Sequence, residues 1–488
     1  MDREIKKVND ILVNLFNTVL RLEEEAVHNS SHNDISITEV HTLAAIGTGR
    51  PRTMTHVANI LGISVSTLTT AINRLVKKGY VDRLRDERDR RIVKIHLTEK
   101  GVSAVRDHDE FHESMIREGM TQVPEEDFSQ FISSLDNISH FVMMRSSTTY
   151  RKEGSFEMKP LQLGANILPV PLIQAGMGIG VAGRRLAAAV AMQGGLGLIG
   201  TAEIGYRAED YGEDSLKANL RAVENEVAAA RKLVNDAGGK GLIGASIMWN
   251  DPNAGQYVKA AVRGGAQVIV TSAGVPKELP RYCDDRKVAL VPTISSQRAA
   301  AAITKAWTQK YNRTPDGFIF QGPLAAGLLG FKEAEMEMAY KNRYKIVAEI
   351  KAGLSKMENC PLIAGGGIFD KADAEKVYMY GADGFLLGTR FVTTEECDAS
   401  DEYKKLYLNC TENDVTIIRS PMKTSVRVMK NRFADSLAES GSMDYDIIEA
   451  VKRGVDGDFD GGLIFCSVNA DKITKIDTVE DVFREFTT

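Results

Sequence analysis

Residues 361–391, PLIAGGGIFDKADAEKVYMYGADGFLLGTRF, decide the fold of this chain. A short apolar run, Leu362 to Ala364, leads into three glycines, Gly365 to Gly367. An amphipathic segment with helical spacing follows, then a second apolar run, GFLLG, which ends at Gly388 and Thr389. Strand, glycine turn, helix and strand in so short a span make a βαβ unit, whose two strands have to be parallel.

The same alternation extends back to Pro169. Apolar β-rich runs recur as PLIQAG (171–176), GLGLIG (195–200), GLIGASIM (241–248), AQVIVTS (266–272), VALVPTI (288–294) and GFIFQG (317–322), ahead of PLIAGGG (361–367) and GFLLG (384–388). Eight strands separated by helical segments are the count for an α/β TIM barrel, (β/α)₈, and not for a doubly wound sheet. The tail after Thr393 is then an insertion or a cap.

In such barrels chemistry sits at the carboxyl ends of the strands, and the loops after strands seven and eight are the usual phosphate site. Gly366, Gly367, Gly388 and Thr389 stand there. Glycine lets backbone N–H groups approach an anion closely, and a following helix N-terminus adds a favourable dipole. In the first loop, QAGMGIG (174–180), Gly176 and Met177 offer backbone contacts and an apolar face to a flat ring. The loop after strand six, QGPLAAGLLGF (321–331), is flexible and apolar and contains no group able to move a proton.

The chain has 488 residues, more than one ordinary core requires, so at least two domains are expected. Hydrophobic content of 43% and charged content of 26% are those of a soluble globular protein, and the net charge of −5 says little about partners. No run of 18 apolar residues occurs and the N-terminus is too charged for a signal peptide, so a cytoplasmic location with no membrane partner is expected. Five cysteines, Cys283, Cys360, Cys397, Cys410 and Cys466, form no CxxC pair. Reduced thiols, and no metal site, are the expectation. All eight histidines lie within the first 140 residues, whereas only six of the 42 glycines precede residue 150. Two differently built domains therefore meet near MMRSSTTYRKEGSFEMKP (143–160), giving a head over 1–147, a linker over 148–162 and a barrel over 163–488.

Within the head, TMTHVANILGISVSTLTTAINRLVKKGYV (53–81) reads as a short helix (Thr55 to Leu61), a turn at Gly62, and a second helix from about Ser64 to Lys78. Ser64 is a plausible N-cap and Gly79 a terminating residue. This is a helix-turn-helix in an otherwise all-α domain. Its second helix presents Ser64, Ser66, Thr67, Thr69, Thr70, Asn73 and Arg74, short polar side chains suited to base edges and phosphates of a major groove. YVDRLRDERDRRIVKIHLT (80–98) then reads as two strands around a tip crowded by Arg88, Arg90 and Arg91. A basic β wing of this kind suits the electronegative minor groove.

At these residues the chain resembles the MarR family of winged-helix repressors. DERDRRIVKIHLTEKG (86–101) matches its wing, and LFNTVLRLEEEAV (15–27), DISITEVHTLAAIG (34–47) and STLTTAINRLVKKGYV (66–81) resemble the repressors of fatty-acid biosynthesis within it. The resemblance implies a homodimer whose terminal helices intertwine, a palindromic double-stranded DNA operator, and acylated acyl carrier protein as corepressor. Apolar spacing in VNDILVNLFNTVLRLEEEA (8–26) and FSQFISSLDNISHFVMM (128–144) independently supports a dimer seam.

The barrel, through PLIQAGMGIGVAG (171–183), AMQGGLGLIG (191–200), PLIAGGGI (361–368), GADGFLLGTRFVTTEE (381–396) and RSPMKTSVRVMKNRF (419–433), resembles the FMN-dependent nitronate monooxygenase and enoyl-acyl carrier protein reductase II family. That resemblance implies FMN, bound by Gly176, Met177, Ser246, Gln321, Gly327, Gly366, Gly367, Gly388 and Thr389, with NAD(P)H or substrate reaching the ring from the open side. It also implies a catalytic histidine in a Gly-Gly-His ending to the strand-six loop. This chain has Ala326, Gly327 and Leu328 there. Leucine relays no proton, whereas histidine does so near neutral pH. A GVNI pattern becomes GASI, so Ser246 replaces an asparagine, and a Gly- and Pro-rich stretch after Pro421 becomes MKTSV.

The expected function is a DNA-binding transcriptional regulator, near lipid-synthesis genes, whose FMN barrel serves as ligand or redox sensor. Homodimers or higher homo-oligomers, acyl carrier protein or an acyl thioester, and NAD(P)H are its expected partners. The alternative is an active NAD(P)H- and FMN-dependent oxidoreductase, of nitronate monooxygenase or enoyl reductase type, with an autoregulatory head. Candidates for proton transfer remaining in the barrel include Tyr206, Tyr282 and Cys283, each expected as a surface or packing residue.

Overall fold

The computed structural model describes residues 2–49, 51–61, 63–85, 93–121, 123–124, 127–128, 131–132, 135, 138, 156–355, 357, 359–422 and 424–488. They fall into two units, Met1–Ser139 and His140–Thr488.

The first unit is built from α1 (Asp2–Asn29), α2 (Ile37–Ile46), β1 (Arg52–Thr53), α3 (Met54–Leu61), α4 (Val65–Lys77), β2 (Val81–Arg85), β3 (Val93–Leu97) and α5 (Glu99–Met120). Ser36 opens α2 with a capping box, accepting from the Glu39 amide while Glu39 accepts from its own. Ser64 accepts from the Thr67 amide at 3.1 Å and so caps α4. At the other end Gly79 adopts φ +79°, a left-handed conformation that stops the helix, and the Tyr80 amide returns to the Leu75 carbonyl. Leu68, Ile72 and Leu75, on one face of α4, are fully buried with Leu43 and Ile46 of α2 and Ile95 of β3. The helix-turn-helix and its hairpin are as the periodicity indicated. The sheet has a third strand that the sequence did not reveal: two-residue β1 pairs with β3, giving the order β1-β3-β2. The outer face of α1 leaves Val8, Ile11, Leu15, Phe16 and Leu20 exposed. The wing tip with Arg88, Arg90 and Arg91, and most of the segment 128–144, lie outside the described residues.

The second unit opens with a hairpin, β4 (Leu161–Leu163) and β5 (Asn166–Leu168). Eight parallel strands follow: β6 (Leu172–Gln174), β7 (Leu196–Gly200), β8 (Leu242–Met248), β9 (Val268–Ser272), β10 (Ala289–Ile294), β11 (Phe318–Gln321), β13 (Leu362–Gly365) and β14 (Gly384–Leu387). Between β11 and β13 lies β12 (Gly327–Leu328). The eight close on themselves, β14 pairing with β6, and each coincides with one of the eight apolar runs. Alternate residues fill the interior, among them Ile173, Leu198, Val270, Val291, Ile319 and Ile363. Leu161, Leu163 and Leu168 of the hairpin join this interior cluster. The stretch 148–162, read as linker, thus ends inside the barrel's own core.

After β14 the chain forms β15 (Val415–Arg419) and β16 (Ser425–Met429), which pair with β12 in a separate sheet of order β12-β16-β15. The last helix, Val479–Thr487, returns to the barrel wall, and a Cβ on Gly195 would stand 2.5 Å from the Phe483 ring. The segment from Thr393 to Thr478 is therefore an insertion ahead of the closing helix. Among the described residues no helix is long and apolar enough to cross a membrane.

Candidate functional site

Alternation along the strands continues from the filled interior to the carboxyl ends, where the inward residues become half-exposed and mostly polar. They are Ser246 and Met248 on β8, Ser272 on β9, Thr293 on β10 and Gln321 on β11. Around the same rim, Gly176 and Met177 follow β6, Gly366 and Gly367 follow β13, and Gly388 follows β14, all half-exposed. The mouth is thus lined by glycines, hydroxyls, one amide and the two methionines Met177 and Met248.

Two of these glycines are required by geometry. A Cβ on Gly176 would lie 2.1 Å from the Ser246 Cβ, so only glycine lets the first loop rest on β8. Gly367 has φ +81° and its Cβ position lies 2.7 Å from Leu324. Gly366, at φ +95°, likewise adopts the left-handed region. Successive glycines there turn the chain sharply after β13, a backbone conformation that side chains other than glycine rarely adopt. Gly388 is less crowded, with Ala175 Cβ the nearest atom, at 3.7 Å from its Cβ position. Thr389 is buried, its hydroxyl accepting from the Ser467 amide at 3.0 Å, while Asn469 donates to the Gly367 carbonyl at 2.7 Å. The inserted tail therefore closes over both glycine loops.

Tertiary structure sets the strand-six loop in place from three sides. Gly327 and Leu328 pair antiparallel with Arg427 and Val426. Gln321 Nε2 donates to the Leu328 carbonyl at 2.9 Å. Arg427 is only 5% exposed, and its Nη1 donates to the carbonyls of Pro323 (2.8 Å) and Ala325 (2.6 Å). Burial pulls its guanidinium down to about 10, which leaves it charged at neutral pH. Gly322 also donates to the Gly365 carbonyl at 2.7 Å, tying loop six to loop seven. Leu328 is consequently held as part of a short sheet. Sequence reading missed Arg427; the signal was a lone arginine flanked by valines in SVRVM (425–429). It also missed Gln174, a buried amide that accepts from the Leu198 N–H at 3.0 Å and donates to its carbonyl at 3.2 Å, joining β6 to β7 below the first loop.

The barrel groups considered for proton transfer are engaged elsewhere. Tyr206 donates to Asp456 at 3.1 Å and burial pushes it up to about 12. Cys283 is buried, its thiol raised by that burial and bonded to the Asp285 carbonyl. Tyr282 packs edge-on against Trp249.

On the head, α4 turns Ser64, Ser66, Thr67, Thr70, Asn73 and Arg74 outward as exposed side chains, with Thr69 half-exposed. Several are already oriented by local bonds: Thr69 donates to the Val65 carbonyl at 2.7 Å, and Ser64 and Thr67 hydroxyls lie 2.8 Å apart. Arg83 of β2, which sequence reading passed over, reaches Asn73 Oδ1 at 2.5 Å and links the wing strand to α4.

Comparison with known proteins follows the same division. Residues 162–488 match the nitronate monooxygenase family, and residues 33–92 match the MarR family. A Mycobacterium tuberculosis protein, (3aS,4S,5R,7aS)-5-hydroxy-7a-methyl-1-oxo-octahydro-1H-indene-4-carboxyl-CoA dehydrogenase, is 28% identical over 272 residues, covering 56% of this chain and 66% of that protein. The match thus spans just under two thirds of that relative's length. FabK from Thermotoga maritima superposes with a TM-score of 0.52 at 23% identity, over 65% of this chain and 92% of its own. FabT from Streptococcus pneumoniae, solved in complex with DNA, shares 37% identity over 28% of this chain and 97% of its own, with a TM-score of 0.28.

Proposed function

The chain belongs to the nitronate monooxygenase family, and from that premise, joined to its MarR-type head, we propose that it is a DNA-binding transcriptional regulator whose barrel binds FMN as a ligand or redox sensor. The observation that carries this reading is Leu328. An aliphatic side chain stands where the family resemblance puts a histidine, on a loop held by Gln321, Arg427 and a strand pairing. No histidine elsewhere in the barrel can replace it. Losing general acid–base catalysis costs roughly 10² to 10⁴ in rate.

The rim residues fit a flavin. Left-handed Gly366 and Gly367, uncrowded Gly388 and the turn at Thr389 suit a phosphate, while Gly176 and Met177 suit one face of a flat ring, with Ser246, Gln321 and Gly327 around it. Bound FMN would supply a two-electron redox couple reducible by NAD(P)H. The chain's own part is to hold the ring and to place no histidine beside it.

In the head, α4 would enter the major groove of a palindromic operator, with Arg88, Arg90 and Arg91 at the minor groove. A homodimer formed through the exposed apolar face of α1 would set two such helices one DNA turn apart, ~34 Å. Effector binding in the barrel would act on DNA only through different affinities for two arrangements of that dimer. The resemblance of the head to fatty-acid repressors and of the barrel to a fatty-acid reductase supports lipid-synthesis genes as targets and an acyl carrier protein or acyl thioester as corepressor. Gel shift of the purified protein on its own upstream region, with and without NADH or acylated carrier protein, tests this. A shift that changes with effector is expected, and no shift under any condition refutes it. The glycine loops favour a second reading, an active NAD(P)H- and FMN-dependent oxidoreductase with an autoregulatory head. Steady-state turnover of a nitronate or an enoyl thioester above the rate of free FMN would establish it.

A further inference from the structure

We propose that Glu23, His41, His108 and His112 of the head bind one divalent transition-metal ion, with Zn²⁺ the preferred occupant. The four side chains come from three helices: Glu23 from α1, His41 from α2, and His108 and His112, four residues apart on one face, from α5. Glu23 is 5% exposed, a carboxylate set deep among helices, and one of its oxygens faces all three imidazoles. Its Oε1 lies 2.8 Å from His112 Nε2, 3.7 Å from His41 Nε2 and 3.8 Å from His108 Nε2. The Nε2 atoms of His108 and His112 are 3.2 Å apart.

Tetrahedral zinc with bonds of ~2.0–2.1 Å places neighbouring donor atoms about 3.3 Å apart, the middle of this range. Glu23, His41 and His108 each direct a donor atom to within 4.8 Å of the others'. Ordinary hydrogen bonding does not account for the cluster. Glu23 Oε2 is buried without a hydrogen-bond partner, and a buried polar atom left unpaired costs about 1–3 kcal/mol. A proton on His112 would pair with Glu23 but leave His41 and His108 each too far from the carboxylate for a bond. A cation at the centre uses every converging lone pair at once. Three imidazoles and one carboxylate form a donor set for zinc and its neighbours in the first transition row, and not for magnesium or calcium, which prefer oxygen. The cysteines take no part, since all five lie in the barrel. Metal bound here would clamp α1, α2 and α5 together, whatever the barrel holds and whether or not α4 reads DNA.

The test uses the full chain, stripped with EDTA, desalted, and titrated with Co²⁺ and then Zn²⁺. One equivalent of Co²⁺ with the intense visible bands of a tetrahedral site, bleached by one equivalent of Zn²⁺, is expected. Glu23→Gln, which keeps the side chain's shape, and His112→Gln, at a half-exposed ligand, should each weaken binding by more than the ~10–100-fold that losing a supporting partner costs. His28→Gln should leave it unchanged. Circular dichroism checks that the variants are folded. Absence of stoichiometric binding, weak octahedral-type bands, or wild-type affinity in folded His112→Gln protein would overturn the assignment.

Discussion

Replacing Arg427 with methionine tests whether the strand-six loop is held from the cap sheet. The guanidinium donates two bonds to the carbonyls of Pro323 and Ala325, and no carboxylate pairs with it among the described residues. Bonds from a charged donor contribute about 1.5–3 kcal/mol each, so their loss costs roughly 3–6 kcal/mol. Against this, methionine removes the penalty of a buried charge. Burial lowers the guanidinium to about 10, and a fall of that size puts the penalty on the order of 3 kcal/mol. The net is about 0–3 kcal/mol of destabilisation, toward the upper end because the two carbonyls stay buried while their partner has gone. For a unit of His140–Thr488 the unfolding entropy is on the order of 0.7 kcal/mol per kelvin, so Tm should fall by no more than ~4 °C. The local effect is sharper, since 1.4 kcal/mol is a tenfold change in an opening equilibrium. Hydrogen exchange of a peptide covering 321–329 should therefore quicken by roughly tenfold or more, while peptides from β8 and β9 stay near wild type. Unchanged exchange in the loop together with an unchanged or higher Tm would refute the reasoning, since it would mean that β12 pairing alone holds Leu328.

Further outcomes follow from named residues. Leu328→His should raise turnover of a nitronate or an enoyl thioester by at least about tenfold, toward the ~10² of restored general acid–base catalysis; steady-state rates equal to wild type would remove Leu328 from its deciding role. Gly367→Val forces a branched side chain into φ +81° against Leu324 and should abolish the flavin absorbance of the purified protein, whereas an equally yellow variant would exclude this loop as the phosphate site. Asn73→Ala should weaken specific operator binding by ~1–3 kcal/mol, and Arg74→Ala should lower the salt slope by about one, both read by fluorescence anisotropy across salt concentrations. Asp34 accepts from the Tyr80 hydroxyl and, next, from Lys100, which holds its carboxyl below the ordinary 3.8. Its stabilising contribution is complete above that value and disappears as pH falls through the lower folded one. The Tm difference between wild type and Asp34→Asn should accordingly be constant near neutrality and shrink below about pH 4; a difference that grows in acid would contradict the pairing.

Features set by neighbouring residues could be read from the chain alone. All eight barrel strands, the Ser64 cap, the left-handed Gly79 and the buried stripe Leu68, Ile72 and Leu75 follow from period, turn chemistry and capping, which act over a few residues. The resemblance to two families rests on equally local motifs. What the sequence could not disclose depends on residues brought together across long separations. Arg427 meets Pro323 from about a hundred positions away, the last helix closes a barrel that began with Leu161, and Glu23 meets His108 and His112 across the head. In one dimension the histidines only marked where the head stops. Folding three amphipathic helices together brought four of their polar residues to one place and buried Glu23 among them, because the helix period that buries an apolar stripe also buries a polar side chain that stands within it.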